Sequence, residues 1–348
     1  MNKHILRFFS YIFAAAMFLF GLCIYAYPLL SGYVSEKNSE IVIENFENIR
    51  KIYQKHIQEN DSAPKDETES REEGKDPIEA QYTQQEIAKL NQLYEEMQKY
   101  NQEIYHNGQA GLCDAWSYQQ SGVDLSEYGI YEGVVGILRV PRMSNLKMPI
   151  LLGASKNNMS RGATQLGQTS MPIGGDNTNC VIAGHRGWCG AKYFVDIEQM
   201  QIGDMVYIDN LWETLAYKVC DRKVIKPEDI DEVLIQENRD MVTLITCHPY
   251  RAHTHRYAVF CSRVEDSAEE NLNMEVLREQ ETQNQPPQSQ KTQQYELSYK
   301  QQRETIVIEN YKSSQSMIFM DRFSYIVVPC VLVILAVVLA AFKRKSNS

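Results

Sequence analysis

The stretch Met241-Val-Thr-Leu-Ile-Thr-Cys247-His-Pro-Tyr-Arg-Ala-His-Thr-His-Arg256-Tyr-Ala-Val-Phe260 constrains the fold more than any other in the chain. Residues 241–246 are apolar or β-branched, the composition of a buried strand. Pro249 has no N–H to give to a β-ladder, so pairing is expected to stop just after Cys247. The apolar run resumes at Arg256 as a second strand. A cysteine thus stands at one strand end and an arginine at the start of the next, joined by a polar loop. A thiol needs a base to become a thiolate, and the oxyanion formed by its attack on a carbonyl needs a donor. Arg256 supplies a donor. The base must come from elsewhere, and the best candidate is His185, which an apolar strand carries into a glycine-flanked turn in Val181-Ile-Ala-Gly-His185-Arg-Gly-Trp188.

Thr246-Cys247, Arg256 nine positions on (256 − 247) and Gly184-His185-Arg186-Gly187, with His185 sixty-two positions before the cysteine (247 − 185), together resemble the sortase family of cysteine transpeptidases. The wording Thr-Leu-Ile-Thr-Cys-x-Pro-Tyr followed by Thr-His-Arg is most similar to class C, the pilin-polymerising sortases, and the Gly174-Gly-Asp-Asn-Thr178 run points the same way. The resemblance covers roughly residues 128–265 and a lid upstream. It implies Cys247 as nucleophile, His185 as its ion-paired partner and acid, Arg256 as oxyanion and backbone donor, and Thr246 as a supporting hydrogen bonder. It implies as partners a surface protein or pilin bearing an LPxTG-like sorting signal, and an amine nucleophile that is a pilin lysine or a cell-wall peptide. Class C sortases also carry an Asp-Pro-aromatic lid. Asp114-Ala115-Trp116 matches it except at Ala115, where proline is usual. A second departure, Gly162-Ala-Thr-Gln-Leu166 in place of a Gly-His pair, touches no catalytic position.

Eight short apolar runs separated by turn signals (134–140, 148–152, 181–183, 205–209, 212–219, 222–225, 241–246 and 256–264) predict a mainly β fold, a closed or nearly closed eight-stranded barrel. Short helical insertions are expected near 155–161 and 191–198. Upstream, helical periodicity covers 34–58, and a second helix runs from a capping-box sequence, Thr83-Gln-Gln-Glu86, to about Tyr105. Its stripe of Ile87, Leu90, Leu93, Tyr94 and Met97 is read as packing on the domain beneath. Residues 60–76, crowded with charge, are read as a disordered linker.

The two ends are hydrophobic. Residues 8–30 and 323–342 lack any charge and are each long enough to cross a bilayer as a helix. Lys3 and Arg7 precede the first span, and Lys343, Arg344 and Lys345 follow the second. This pattern predicts cytoplasmic termini with residues 31–322 outside, and the sortase resemblance implies a Gram-positive type of surface. The first span could instead be a cleaved signal peptide, but its apolar run is longer than the usual one and no convincing cleavage site follows. The expected organisation is a tip and anchor at 1–33, helices at 34–105, a lid loop at 106–129, the catalytic barrel at 130–265, a polar spacer at 266–322, and a second span with a basic tail at 323–348.

Net charge is −10 without a basic, aromatic-laced patch, which argues against nucleic acid. Six of the eight cysteines fall outside the spans, and a nucleophilic Cys247 leaves an odd number for pairing, so mostly reduced thiols are expected. Cys247, His248, His253 and His255 could compose a zinc site, but their spacing matches no common zinc module, and the chemistry needs neither metal nor cofactor. The rival readings are a wall-anchoring sortase, a cysteine peptidase that uses water, and a non-enzymatic receptor or scaffold anchored at both ends.

Overall fold

The structure, a computed structural model, describes residues 3–62, 84–118, 123–130, 132–187, 191–250 and 252–264. Expectations for Thr83, for 63–76, for Trp188 and Cys189, and for everything from 265 on, including the spacer and the second span, lie outside the described residues.

Eight strands close a barrel: β1 (Val134–Val140), β2 (Leu146–Leu152), β3 (Ala163–Gln165), β4 (Thr178–Ala183), β5 (Met205–Asp209), β6 (Thr214–Ile225), β7 (Asp240–His248) and β8 (His255–Arg263). Their order around the barrel is β1-β2-β3-β4-β7-β8-β6-β5. The neighbours β2/β3 and β4/β7 run parallel, and the other pairs are antiparallel. The expected number of strands is right, but the list that produced it is not. β3 was not among the eight expected. It is three residues long and lacks alternation, so only its pairing with β2 and β4 makes it a strand. Gly162, just before it, lies so close to β2 that a Cβ there would meet the Pro149 carbonyl oxygen at 2.6 Å. Conversely, the runs expected at 212–219 and 222–225 are one strand, β6. A bulge between Val219 and Asp221 lets it continue past a charged pair.

Upstream, α1 (Lys3–Ser62) is one helix of 60 residues that carries both the apolar run from residue 8 and the periodic stretch 34–58. Its first half is apolar enough to cross a membrane. Phe13, Phe18, Leu19, Phe20, Leu29 and Leu30 lie exposed there. From Ile43 the helix turns a buried face, Ile43, Phe46 and Tyr53, to the rest of the protein. Asn60 to Ser62, expected as linker, are helical. α2 (Gln84–His106) buries Ile87, Leu90, Leu93 and Met97 in the core cluster that also takes those α1 residues, as its stripe predicts. Asn101 on α2 accepts from the Met171 N–H at 2.7 Å, and the Tyr100 hydroxyl accepts from the Gln168 N–H at 3.1 Å. Arg50 on α1 reaches Asp209 of β5, which also pairs with Arg139 of β1. The helices are therefore part of the barrel's packing.

Of the expected insertions, the first is a single turn, α3 (Lys156–Met159), capped by the Ser155 side chain. The second holds only the 3₁₀ turn Ile197–Gln199. The loop expected at 106–129 contains two more 3₁₀ turns, Ala115–Ser117 and Leu125–Tyr128, each capped by an aspartate side chain.

Candidate active site

β4 and β7 run parallel with a constant offset of 62, from Thr178↔Asp240 to Ala183↔Ile245. That offset equals the His185–Cys247 spacing, so continuing the register by two residues sets the histidine level with the cysteine. Two contacts beyond the ladder keep the same offset. The Thr246 hydroxyl donates to the Gly184 carbonyl at 2.6 Å, and Arg186 Nη1 lies 3.0 Å from His248 Nδ1. On the other side of β7, Cys247 pairs directly with Arg256 of β8. Pairing runs one step beyond the expected end, to His248↔His255, and stops before Pro249. Cys247, His185 and Arg256 thus belong to three adjacent strand ends.

Side chains alternate across a strand, so odd and even positions face opposite ways. On β4 and β7, Val181, Ala183, Met241 and Ile245 join one apolar cluster, while Cys180, Ile182, Val242 and Leu244 join the larger core. By that parity Cys247 takes the face of the smaller cluster, where Leu112 and Ala115 also pack, while His185 lies two residues past the end of β4.

The segment bearing Leu112 and Ala115 occupies the site. Asp114 takes Arg256 in a bidentate pair, Nε to Oδ1 at 2.7 Å and Nη2 to Oδ2 at 2.8 Å. Arg256 Nη1 donates to the carbonyls of His253 at 3.1 Å and His255 at 2.9 Å, which anchors the guanidinium at its rear. The indole of Trp116 lies between the two other groups. The Arg256 guanidinium carbon sits 4.5 Å from the ring centroid, and the His185 ring lies at 6.4 Å. Asp114 Oδ2 also accepts from the Trp116 N–H at 3.1 Å, tying the aspartate to the turn that presents the indole. The Tyr193 ring meets His185 edge-on at 6.1 Å.

Enclosure sets the electrostatics. Cys247 is only 1% exposed, and burial pushes its thiol up to about 12. Arg256 opposes that rise, Asp114 adds to it, and Arg186 opposes it. Burial, with His253 nearby, pushes the His185 imidazole down to about 4. Both shifts favour the uncharged forms, the thiol and the imidazole. Cys113, Cys180, Cys220, Cys247 and Cys261 are all free thiols.

Residues 138–264 match the sortase domain family. The barrel is a sortase domain. Sortase A of Bacillus anthracis is 29% identical over 126 residues, which is 36% of this chain and 58% of that protein. Sortase A of Staphylococcus aureus is 30% identical over 124 residues, 35% of this chain and 58% of that one. The chain therefore spans somewhat over half the length of these curated relatives. Among solved structures, a pilus-related sortase C of Group B Streptococcus is 32% identical, with 54% of this chain and 93% of the other aligned at a TM-score of 0.47.

The residues singled out in the sequence gather at this end of the barrel: Asp114 and Trp116 on Arg256, Trp116 against His185, and Thr246 on Gly184. Three others were not foreseen in their places. Arg186, Glu198 and His248 form a buried ion cluster directly behind the strand ends. Two of them were readable in principle, because Arg186 and His248 each follow a singled-out residue at the same offset of 62. Glu198 lies in a segment whose sequence gives no such signal.

Proposed function

We propose that this protein is a cysteine transpeptidase that cuts a sorting signal of the LPxTG type and joins the acyl group to an amine. The observation that carries the reading is the shared register: one offset of 62 between β4 and β7 sets His185 level with Cys247, while β8 puts Arg256 across from it. Cys247 as thiolate attacks the carbonyl of the residue before the scissile bond, and its sulfur becomes the acyl carrier. Arg256 stabilises the oxyanion and orients the substrate backbone. Protonated His185 gives its proton to the leaving amine. An incoming amine then takes the acyl group and frees the thiol.

Asp114 and Trp116 act as a lid. With Asp114 on Arg256 the oxyanion donor is engaged, and with Cys247 buried the thiolate is disfavoured. A substrate has to displace the segment, and the exposure that follows removes both the desolvation and the Asp114 charge that hold the thiol protonated. This lid favours the pilin-joining class over a wall-anchoring enzyme, so the preferred nucleophile is a pilin lysine. α1 anchors the domain in the membrane, and the apolar segment 323–342 supplies a second span with both ends cytoplasmic.

The test incubates the purified chain in detergent with a sorting-signal peptide and candidate amines, and weighs the products. A joined product that disappears in Cys247→Ala supports the reading. Joining that survives the substitution defeats it, and hydrolysis alone would favour the peptidase. Cleavage by external protease of a tag placed after Ser348 on intact cells would overturn the two-span topology.

A further inference from the structure

A second group of charges lies behind the reactive pair, on the opposite face of the same strand ends, and the chemistry above leaves it unused. Glu198 Oε1 stands 2.6 Å from Arg186 Nη2 and 2.9 Å from His248 Nδ1, and the three side chains are 1–2% exposed. Burying such a group costs free energy that pairing offsets only when the geometry is good, and apolar residues of similar volume often do as well or better. Stability alone is therefore a weak reason for the cluster.

Its position suggests another. Arg186 directly follows His185, and His248 directly follows Cys247. The β4–β7 ladder ends at Ala183↔Ile245, and Pro249 stops β7 one residue after His248. The reactive residues thus sit where the backbone ladder between their strands has run out, and Glu198 bridges the next residue on each side. The segment bearing Glu198 supports the histidine turn twice more. The Phe194 N–H donates to the His185 carbonyl at 2.9 Å, and the Phe194 ring packs so close to Gly184 that a Cβ there would meet it at 3.1 Å.

We propose that Glu198 is a positioning residue for the Cys247–His185 pair: its carboxylate clamps Arg186 to His248, holding cysteine and histidine in register and offsetting part of the Arg186 charge behind the thiol. The inference rests on the roles proposed above for Cys247 and His185. Charged groups face this site from several elements. Cys247 is acted on by Arg256, Asp114 and Arg186. His248 faces Glu198, Arg186 and the Tyr257 ring, 5.8 Å away between centroids.

The test is Glu198→Gln in the full chain, which keeps the shape and removes the charge. Peptide joining should show kcat lowered about 10- to 100-fold, as misplacement of reacting groups by an ångström or less produces, with KM within about twofold. Alkylation of Cys247, read by intact mass, should move to lower pH, because the Arg186 charge that already favours the thiolate is no longer partly offset by the carboxylate. A folded Glu198→Gln chain with kcat within about twofold of wild type overturns the proposal, and so does an unmoved alkylation profile. If that variant does not fold, the double change Arg186→Met, Glu198→Met removes both charges while keeping volume. The clamp then predicts a folded chain with lowered kcat, and a normal kcat overturns it. Alkylation needs no joining activity, so failure of the transpeptidase reading, seen as joining that survives Cys247→Ala, remains distinguishable from failure of the clamp.

Discussion

Two arginines on opposite faces of the same strand ends each meet a carboxylate, and the two pairs differ in what holds the carboxylate. Arg256 meets Asp114 across 142 positions of sequence, from a single 3₁₀ turn whose contacts with the site are an ion pair, a stacked indole and a few apolar side chains. Arg186 meets Glu198 from a segment that is hydrogen-bonded and packed into the barrel end, with both side chains at most 2% exposed. The Asp114 pair is slightly wetter, at 7% and 14%. The same interaction suits two tasks. Where the carboxylate rides on a short turn, a competing ligand can displace it at the cost of one ion pair. Where it is built into the wall, its removal leaves a buried charge uncompensated, which typically costs about 3–5 kcal/mol. In the proposed mechanism the first is a latch and the second a clamp.

The largest effect should fall on the chemistry that both pairs serve. Cys247→Ala and His185→Ala should each abolish the acyl-enzyme, since nucleophile and proton donor act as a unit. Intact mass after incubation with a sorting-signal peptide reads this directly, and an acyl adduct on either variant would remove the reason for comparing the two pairs at all.

Next in size is Arg256→Lys. The guanidinium makes four hydrogen bonds here, two to Asp114 and two to carbonyls of the 253–255 loop. An ammonium keeps the charge without the planar fork. Loss of one oxyanion donor typically costs about 10²–10³ in kcat, and a drop of that order is expected. The same change should also loosen the latch, so Cys247 should alkylate faster while joining falls. Rates that fell together would mean that Arg256 holds the barrel rather than the lid.

The latch itself is smaller. In Asp114→Ala, Trp116→Ala, Cys247 should alkylate about 10- to 100-fold faster if the closed form holds some 90–99% of molecules. Its pH profile should move down, since the closed thiol is pushed up to about 12 by burial and by the Asp114 charge. The sign is fixed: both changes favour the thiolate, so a shift to higher pH would contradict the latch. An unchanged rate in the folded variant would reduce residues 113–118 to a surface loop.

Much of this was legible in the sequence, and the legible parts share a physical cause. The spacing of 62 between histidine and cysteine is the register offset of a parallel strand pair, so a motif distance carried a piece of topology. Strands whose largely apolar runs are bounded by turn residues, such as β1 and β5, matched residue for residue. β3 stayed hidden because Ala-Thr-Gln has no pattern of its own and is a strand only through its neighbours. β6 was divided because a bulge let Asp221 and Arg222 interrupt the apolar alternation without ending the pairing. The clamp was missed for a related reason. A buried carboxylate is defined by what surrounds it, and nothing local to Glu198 marks it as facing an arginine.

The smallest predicted effect is the most specific to this chain. At Ala115 the class C lid pattern has proline. Asp114, the preceding residue, has φ −57° and ψ 140°. That extended conformation is the one a following proline imposes. Ala115 opens the 3₁₀ turn, and the N–H groups of this turn that donate within it are those of Trp116, Ser117 and Tyr118. The first position of a helical turn is where a missing N–H matters least. Ala115→Pro should therefore favour the closed segment by restricting the open one, by about 0.4–1 kcal/mol. That range corresponds to Cys247 alkylating about two- to fivefold more slowly. The opposing term is packing, because Ala115 is 1% exposed and the ring must fit against its neighbours. Faster alkylation than wild type would mean that the ring does not fit and that alanine here is a packing requirement. A slower rate, with kcat lowered and the Glu198 readouts unmoved, would separate the latch from the clamp within one protein.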